Sequence, residues 1–269
     1  MNINKHDIIK GLEAKGFDVK MHDVVKNGVM CEAIVFVNEQ ISPVIYIADI
    51  LAYADIADYS LDEIIELIVD IYERAQNKKL NDIVNNITNR EYIFSHIYVG
   101  VQRSGSEDIV KDFTCYEGIE AYLYIRLYDE NDGFYPAKIS HHILTEAKIS
   151  IEDAWKAAKD NTCNETQIIS MSAFLDFENT SGKNMYILTN RSRIMGASSI
   201  IDTDSIKAFA EMKGISKFAL LPSSIHEFLL IPWSDDMDIY YLNQMVIEAN
   251  RETVDPKEQL SDRAFILSL

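Results

Sequence analysis

From Met185 to Pro232 the chain reads MYILTN, RSRIMGASSIID, a helical segment ending at Gly214, KFALLPSS and then IHEFLLIP. Asn190, Gly214 and Pro222-Ser223-Ser224 separate three apolar runs, so this stretch is a tightly specified unit of strands and helix. Its polar residues gather at the expected strand ends, where proteins that mix helices and sheets often place their sites. No known catalytic motif occurs there or elsewhere in the sequence.

The rest of the chain adds bounds more than chemistry. At 269 residues and 30.7 kDa it suits one large domain or two small ones. No apolar run reaches about 18 residues, so no membrane span is expected. The N-terminal MNINKHDIIKGLEAKG lacks the apolar core of a secretory signal, and a cytoplasmic location follows as the expectation. Cys31, Cys115 and Cys163 are odd in number, far apart and without a C-x-x-C pair, which reads as reduced thiols. The formal net charge is −18, divided as −11 over residues 1–150 and −7 over residues 151–269. No cluster of Lys and Arg suited to phosphate contacts is visible, so direct nucleic-acid binding is not expected. The acidity suits either plain solubility or a face complementary to a basic partner protein.

Along the chain, Ile8, Ile9 and Leu12 share a helical face that Gly16 ends. Phe17, Val19 and Met21 alternate as a strand, and Asn27-Gly28 is a hairpin turn into Val29–Val37. Pro43–Ile47 reads as a short extended segment. Ser60-Leu61-Asp62-Glu63 is a capping box, opening a helix with Leu61, Ile64, Ile65, Ile68, Ile71 and Tyr72 on one stripe. Asp62, Glu63, Glu66, Asp70 and Glu73 line its other side, a pattern common on solvated helix faces and a candidate binding ridge. The Asn-rich stretch from Lys78 to Arg90 is a candidate connection between lobes, or a short helix around Ile83. Strand-like runs follow at Tyr92–Val101, Ala121–Leu127 and Phe134–Leu144, with Asp129–Gly133 as a loop that lacks calcium-site spacing. Ser150 opens a further helix, and residues 167–175 suit either a short helix or a strand. Thr203 is read as the cap of a helix closed by Gly214. Another helix is expected from about Asp236, carrying Leu242, Met245, Val246 and Ala249, before a last strand at Ala264–Leu267. The expected fold is α+β, with mixed or mainly antiparallel sheets and helices packed on one face. Two lobes, 1–88 and 89–269, or a single continuous domain, accommodate these elements.

The order of segments also carries a resemblance. Val25-Lys26-Asn27-Gly28-Val29, Ile41-Ser42-Pro43 through Tyr46, and Ser60-Leu61-Asp62-Glu63-Ile64 resemble the start of an uncharacterised Gram-positive bacterial family, catalogued as domain of unknown function 5688. Ala157–Thr162, Tyr186–Asn190, Gly196-Ala197 and Leu221–Glu227 are similar to its later segments. The resemblance implies cytosolic proteins of gut-type bacteria and their mobile elements. It brings no catalytic residue, substrate or cofactor with it.

Ser223, Ser224, His226 and Glu227 hold the parts of a nucleophile, base and orienter relay. On a strand His226 and Glu227 face opposite ways, and no G-x-S-x-G elbow exposes a serine, so a turn that caps strand ends is the competing reading. His96, His141 and His142 are candidate partners for His226 in a metal site, although the spacing of a zinc-protease helix is missing and no metal is expected. No phosphate-loop glycines occur and no cofactor is expected. Tyr240 and Tyr241 cannot both be buried on one narrow helical stripe, which points to an exposed contact residue. The expected function is a non-catalytic protein-binding or regulatory module with an acidic surface, of mobile-element origin. A hydrolase using residues 223–227 is the alternative.

Overall fold

The computed structural model describes residues 3–37, 43–77, 86–105, 107–129, 133–174 and 185–269. Contacts divide the chain into two units, residues 1–85 and 86–269. The sheets in both are antiparallel throughout, and the fold is α+β.

In residues 1–85, helix α1 (Lys5–Ala14) leads into strands β1 (Val19–Lys26), β2 (Val29–Phe36) and β3 (Ile45–Tyr46), paired in that order. The β1–β2 turn is Asn27-Gly28 with φ of 50° and 76°, the left-handed pair that a two-residue hairpin demands. Residues 47–56, where no element was expected after a short extended run, form helix α2 (Ile47–Ile56). Its Ile47, Ile50 and Ala54 recur at helical spacing and are buried, so a 3.6-residue period overrides the β-branched start. Helix α3 (Leu61–Asn77) opens on the expected capping box: Glu63 Oε2 accepts from the Ser60 N–H at 2.8 Å, and Ser60 Oγ accepts from the Glu63 N–H at 3.4 Å. Val19 and Ile34 on one sheet face, with Phe36, meet Ile8, Leu12, Ile64 and Ile68 in a shared core. The helices pack on that one face.

In residues 86–269, Tyr92–Val101 is not a continuous strand. Asn89 Oδ1 accepts from the backbone of Glu91 and Tyr92 and starts helix α4 (Arg90–His96), and strand β4 (Ile97–Arg103) follows. Strands β5 (Lys111–Phe113), β6 (Ile119–Asp129) and β7 (Gly133–Lys138) complete a sheet in which β6 pairs with β4 on one side and with β5 and β7 on the other. The Asp129–Gly133 loop falls largely outside the described residues, as does most of Lys78–Arg90. Phe134–Leu144 likewise splits, because Ser140 Oγ accepts the Ile143 N–H and caps helix α5 (His141–Glu146). Helix α6 (Ile151–Cys163) lies along β4, where Thr162 Oγ1 accepts the Val99 N–H at 3.0 Å and satisfies a sheet-edge group.

The second sheet takes the order β12-β10-β11-β9-β8. Its strands are β8 (Thr166–Ser170), β9 (Tyr186–Asn190), β10 (Lys217–Ser224), β11 (Glu227–Pro232) and β12 (Phe265–Ser268). Helix α7 (Met171–Phe174) follows β8, so residues 167–175 contain both a strand and a short helix. A 3-10 helix at Gly196–Ile201 precedes helix α8 (Thr203–Lys213). The α8 cap is Asp202 instead of Thr203, since Asp202 Oδ1 accepts the Ser205 N–H. Apolar residues on both faces cover this sheet twice, where one-sided packing was expected. Phe218 and Leu220 meet Ile206 and Ala210 of α8, while Ala219 and Leu221 meet Leu242 and Val246 of helix α9 (Ile239–Glu252). Met245 and Ala249, expected among the inward residues of α9, are exposed.

Candidate functional site

The predicted serine, histidine and glutamate cluster sits at the tip of the β10–β11 hairpin. Pro222, Ser223 and Ser224 belong to β10, and Ile225-His226 form the turn instead of the start of a strand. Pro222 is tolerated because β12 ends its pairing at Leu220 and the β10–β11 register shifts between Pro222 and Ser224. All four predicted residues are together, but their couplings are structural. Ser223 Oγ donates to Glu227 Oε1 at 3.0 Å and Ser224 Oγ donates to the same oxygen at 3.3 Å. Ser224 Oγ also accepts the His226 N–H at 3.0 Å. The imidazole turns elsewhere: Nδ1 accepts the Met195 N–H at 3.1 Å, and Nε2 lies 3.5 Å from Glu258 Oε1. An Nδ1 that accepts leaves the proton on Nε2, facing Glu258.

The surrounding backbone ties the turn down. Thr189 Oγ1 donates to the His226 carbonyl at 2.9 Å, the Ala197 N–H donates to the Ile225 carbonyl, and the Ile225 N–H donates to the Glu258 carbonyl. Met195 has φ 55°, and Gly196 follows it where a Cβ would lie 2.3 Å from Thr189 Oγ1 and 2.7 Å from the His226 oxygen. A side chain does not fit there. Chemically the arrangement is a hydrogen-bonded clamp in which neither serine hydroxyl is bonded to the imidazole.

The other predicted histidines are scattered. His96 stacks on Tyr92 with ring centroids 3.9 Å apart, and His141 and His142 are exposed on α5. Among the described residues no group of three or more His, Cys, Asp or Glu could hold a metal. On α3, Asp62, Glu66 and Glu73 are exposed and Asp70 is half-buried. Glu66 pairs with Lys15 at 2.5 Å and Asp70 with Arg74 at 2.8 Å. Bonds from the Ser60 hydroxyl and N–H hold the Glu63 carboxyl below its ordinary value. Tyr240 and Tyr241 are both exposed, at 67% and 65%.

Two features escaped the reading of the sequence. The first is a buried polar row on β6: Glu120, Tyr122, Tyr124 and Arg126. Arg126, 3% exposed, donates twice to the Glu165 carboxylate at 2.8 and 3.0 Å and lies 3.6 Å over the Tyr98 ring. Burial opposes its charge, but Tyr124 and Glu165 outweigh burial and hold its pKa above the ordinary value. At the other end Gln102 donates to Glu107 and Glu120, and Lys138 pairs with Glu107. The visible signal was the two-residue alternation Glu120-x-Tyr122-x-Tyr124-x-Arg126, which overlaps the strand-like run Ala121–Leu127.

The second feature is a gap in positive charge. No Lys or Arg occurs between Lys26 and Arg74. The fold gathers carboxylates of this stretch beside α2 and α3, lining a groove of about 620 Å³ with Ile3, Leu51, Ala54, Asp55, Asp58 and Glu63. Without α2 the groove was not foreseeable.

Fold and sites define an α+β protein of antiparallel sheets, whose most conspicuous polar cluster is braced into its own framework. The model of a family of unknown function, DUF5688, matches residues 3–268, and the chain belongs to that family. No curated protein and no solved structure matches it. Among the described residues no helix is long and apolar enough to cross a membrane.

Proposed function

We propose that this protein is a non-catalytic binding module of the cytoplasm that takes a basic partner protein on an acidic surface. The observation that carries the reading is the cation-free stretch between Lys26 and Arg74, whose carboxylates Asp55, Asp58, Asp62 and Glu73 enter no ion pair among the described residues. Uncompensated carboxylates raise the local negative potential, speed encounter with a positive surface and disfavour a nucleic-acid backbone. Free thiols at Cys31, Cys115 and Cys163 fit a reducing compartment. The hairpin clamp supports the non-catalytic part of the reading, because its basic imidazole nitrogen already holds a backbone N–H.

The test is affinity capture from the native host at about 0.05 M and about 0.3 M salt, between which the screening length shortens from about 14 Å to about 6 Å. Wild type is compared with a chain carrying Asp62→Asn and Glu73→Gln, the α3 carboxylates that enter no ion pair among the described residues. A basic protein retained by wild type at low salt and lost by the variant is the expected result. Absence of any salt-sensitive partner, together with turnover of an ester, peptide or nucleotide substrate, overturns the proposal in favour of a hydrolase.

A further inference from the structure

Within residues 1–85 a trough runs beside α2 and α3. Its larger part, about 620 Å³, has Ile3, Leu51, Ala54 and Ile64 among its apolar lining and Asp55, Asp58 and Glu63 among its acidic lining. A smaller part of about 300 Å³ shares Tyr59 and Glu63 with the first, and continues past Glu66 and Leu67 to Asp70. Two exposed hydrophobic side chains of α2 border this lining without belonging to it: the Tyr53 ring, 53% exposed, lies 5.8 Å from that of Tyr59, and Ile56, 87% exposed, follows the lining residue Ala52 by one helical turn. Asp55 and Asp58 enter no ion pair among the described residues.

Apolar surface beside uncompensated carboxylate selects the chemistry of an occupant. An oligocation satisfies Asp55, Asp58 and Glu63 but leaves Leu51, Tyr53 and Ile56 in water, forfeiting the burial of their apolar surface. A neutral apolar helix covers those side chains but strips water from the carboxylates and returns no cation. A helix with apolar residues at i, i+3, i+4 and i+7 and Lys or Arg along the margins meets both demands. We propose that the trough docks a basic amphipathic helix of another protein. The inference rests on the reading of this chain as a binding module, and adds to it the surface and the partner's chemistry.

Fluorescence anisotropy on the full chain tests it with three labelled peptides. One is a Leu/Lys peptide with a single apolar helical face, the second has the same composition scrambled to leave no face, and the third is oligolysine of equal charge. The patterned peptide is expected to bind at least about tenfold tighter than either control. Ile56→Ser removes most of that advantage and leaves oligolysine binding unchanged; at so exposed a position the circular dichroism and melting curve should match wild type. Asp55→Asn with Asp58→Asn weakens all three peptides and flattens their salt dependence. Asp58 has φ 55°, a conformation Asn also adopts readily, so this variant keeps its backbone. Equal binding of patterned and scrambled peptides, oligolysine as tight as the patterned peptide, or undiminished patterned binding to Ile56→Ser overturns the inference. If the α3 carboxylate variant loses its host partner while Ile56→Ser keeps it, the trough is refuted and the binding module stands. If neither a host protein nor any peptide binds, both fall.

Discussion

At the scale of single residues, Gly196 and Cys163 report most directly on how tightly this chain is built. Gly196 sits where Thr189 Oγ1, the Asn190 nitrogen and the His226 oxygen all approach within 2.7 Å of a would-be Cβ. Two of those atoms are backbone, so the neighbours cannot rotate away. Gly196→Ala is therefore expected to cost about 1–3 kcal/mol and lower the melting temperature by several degrees. Gly105→Ala, whose nearest neighbour would be 3.8 Å away, serves as a control expected within about 0.5 kcal/mol of wild type. Equal melting of both variants would contradict the clamp. Cys163 tests a different property. Burial, then the carboxylates of Asp202, Asp160 and Asp204, push its thiol up to about 11. Thiolate is the nucleophile, so at about pH 8.5 a haloacetamide should label exposed Cys115 well before Cys163, as followed by mass spectrometry. The same shift has a sign in stability. The folded thiol keeps its proton above the ordinary value of 9.0, so its contribution is complete below about pH 9 and is lost as pH rises through 11. Cys163→Ala should flatten that decline in chemical denaturation. An unchanged slope would remove the argument.

At the scale of elements, the boundaries were decided by side chains that satisfy free backbone groups. Ser60 is the clearest case, with its hydroxyl on the Glu63 N–H and its own N–H on the Glu63 carboxylate. Ser60→Ala removes the cap that opens the 17-residue helix α3 and is expected to cost about 1 kcal/mol in denaturant unfolding. No measurable loss would mean that the cap adds nothing to an already packed helix. The capping box, the Asn27-Gly28 turn and the Gly214 stop were legible because each works through atoms a few residues apart. Helices α2, α4 and α5 were harder to see. Their segments are short, α2 and α4 carry Ile and Tyr that suit strands as well, and the caps decide the matter: Asn89 from just before the Tyr92–Val101 run, Ser140 from inside the Phe134–Leu144 run. The Asp202 cap of α8 lies one residue before the Thr203 that the pattern suggested, because either side chain is chemically able to cap.

For the whole molecule, the net charge of −18 sets a long-range term that no single contact reveals. Mutual repulsion among like charges weakens when salt shortens its range, so raising salt from about 0.02 M to about 0.3 M should lift the melting temperature by a few degrees. A fall instead would mean that ion pairs such as Arg126–Glu165 and Lys138–Glu107 outweigh the repulsion. The amino-acid sequence by itself determined the α+β class, the antiparallel hairpins, the caps at Ser60 and Ser150 and the charge, since periodicity, turn chemistry and composition all act locally or additively. Only the tertiary structure decided that Ser223 and Ser224 bond Glu227 while His226 faces Met195 and Glu258. It alone set Arg126 against Glu165, and the carboxylates of α2 and α3 along one trough. Those partners are as far as 39 residues apart in the Arg126–Glu165 pair, and folding chooses among many chemically equivalent polar groups by which backbones the packed core brings within hydrogen-bond reach.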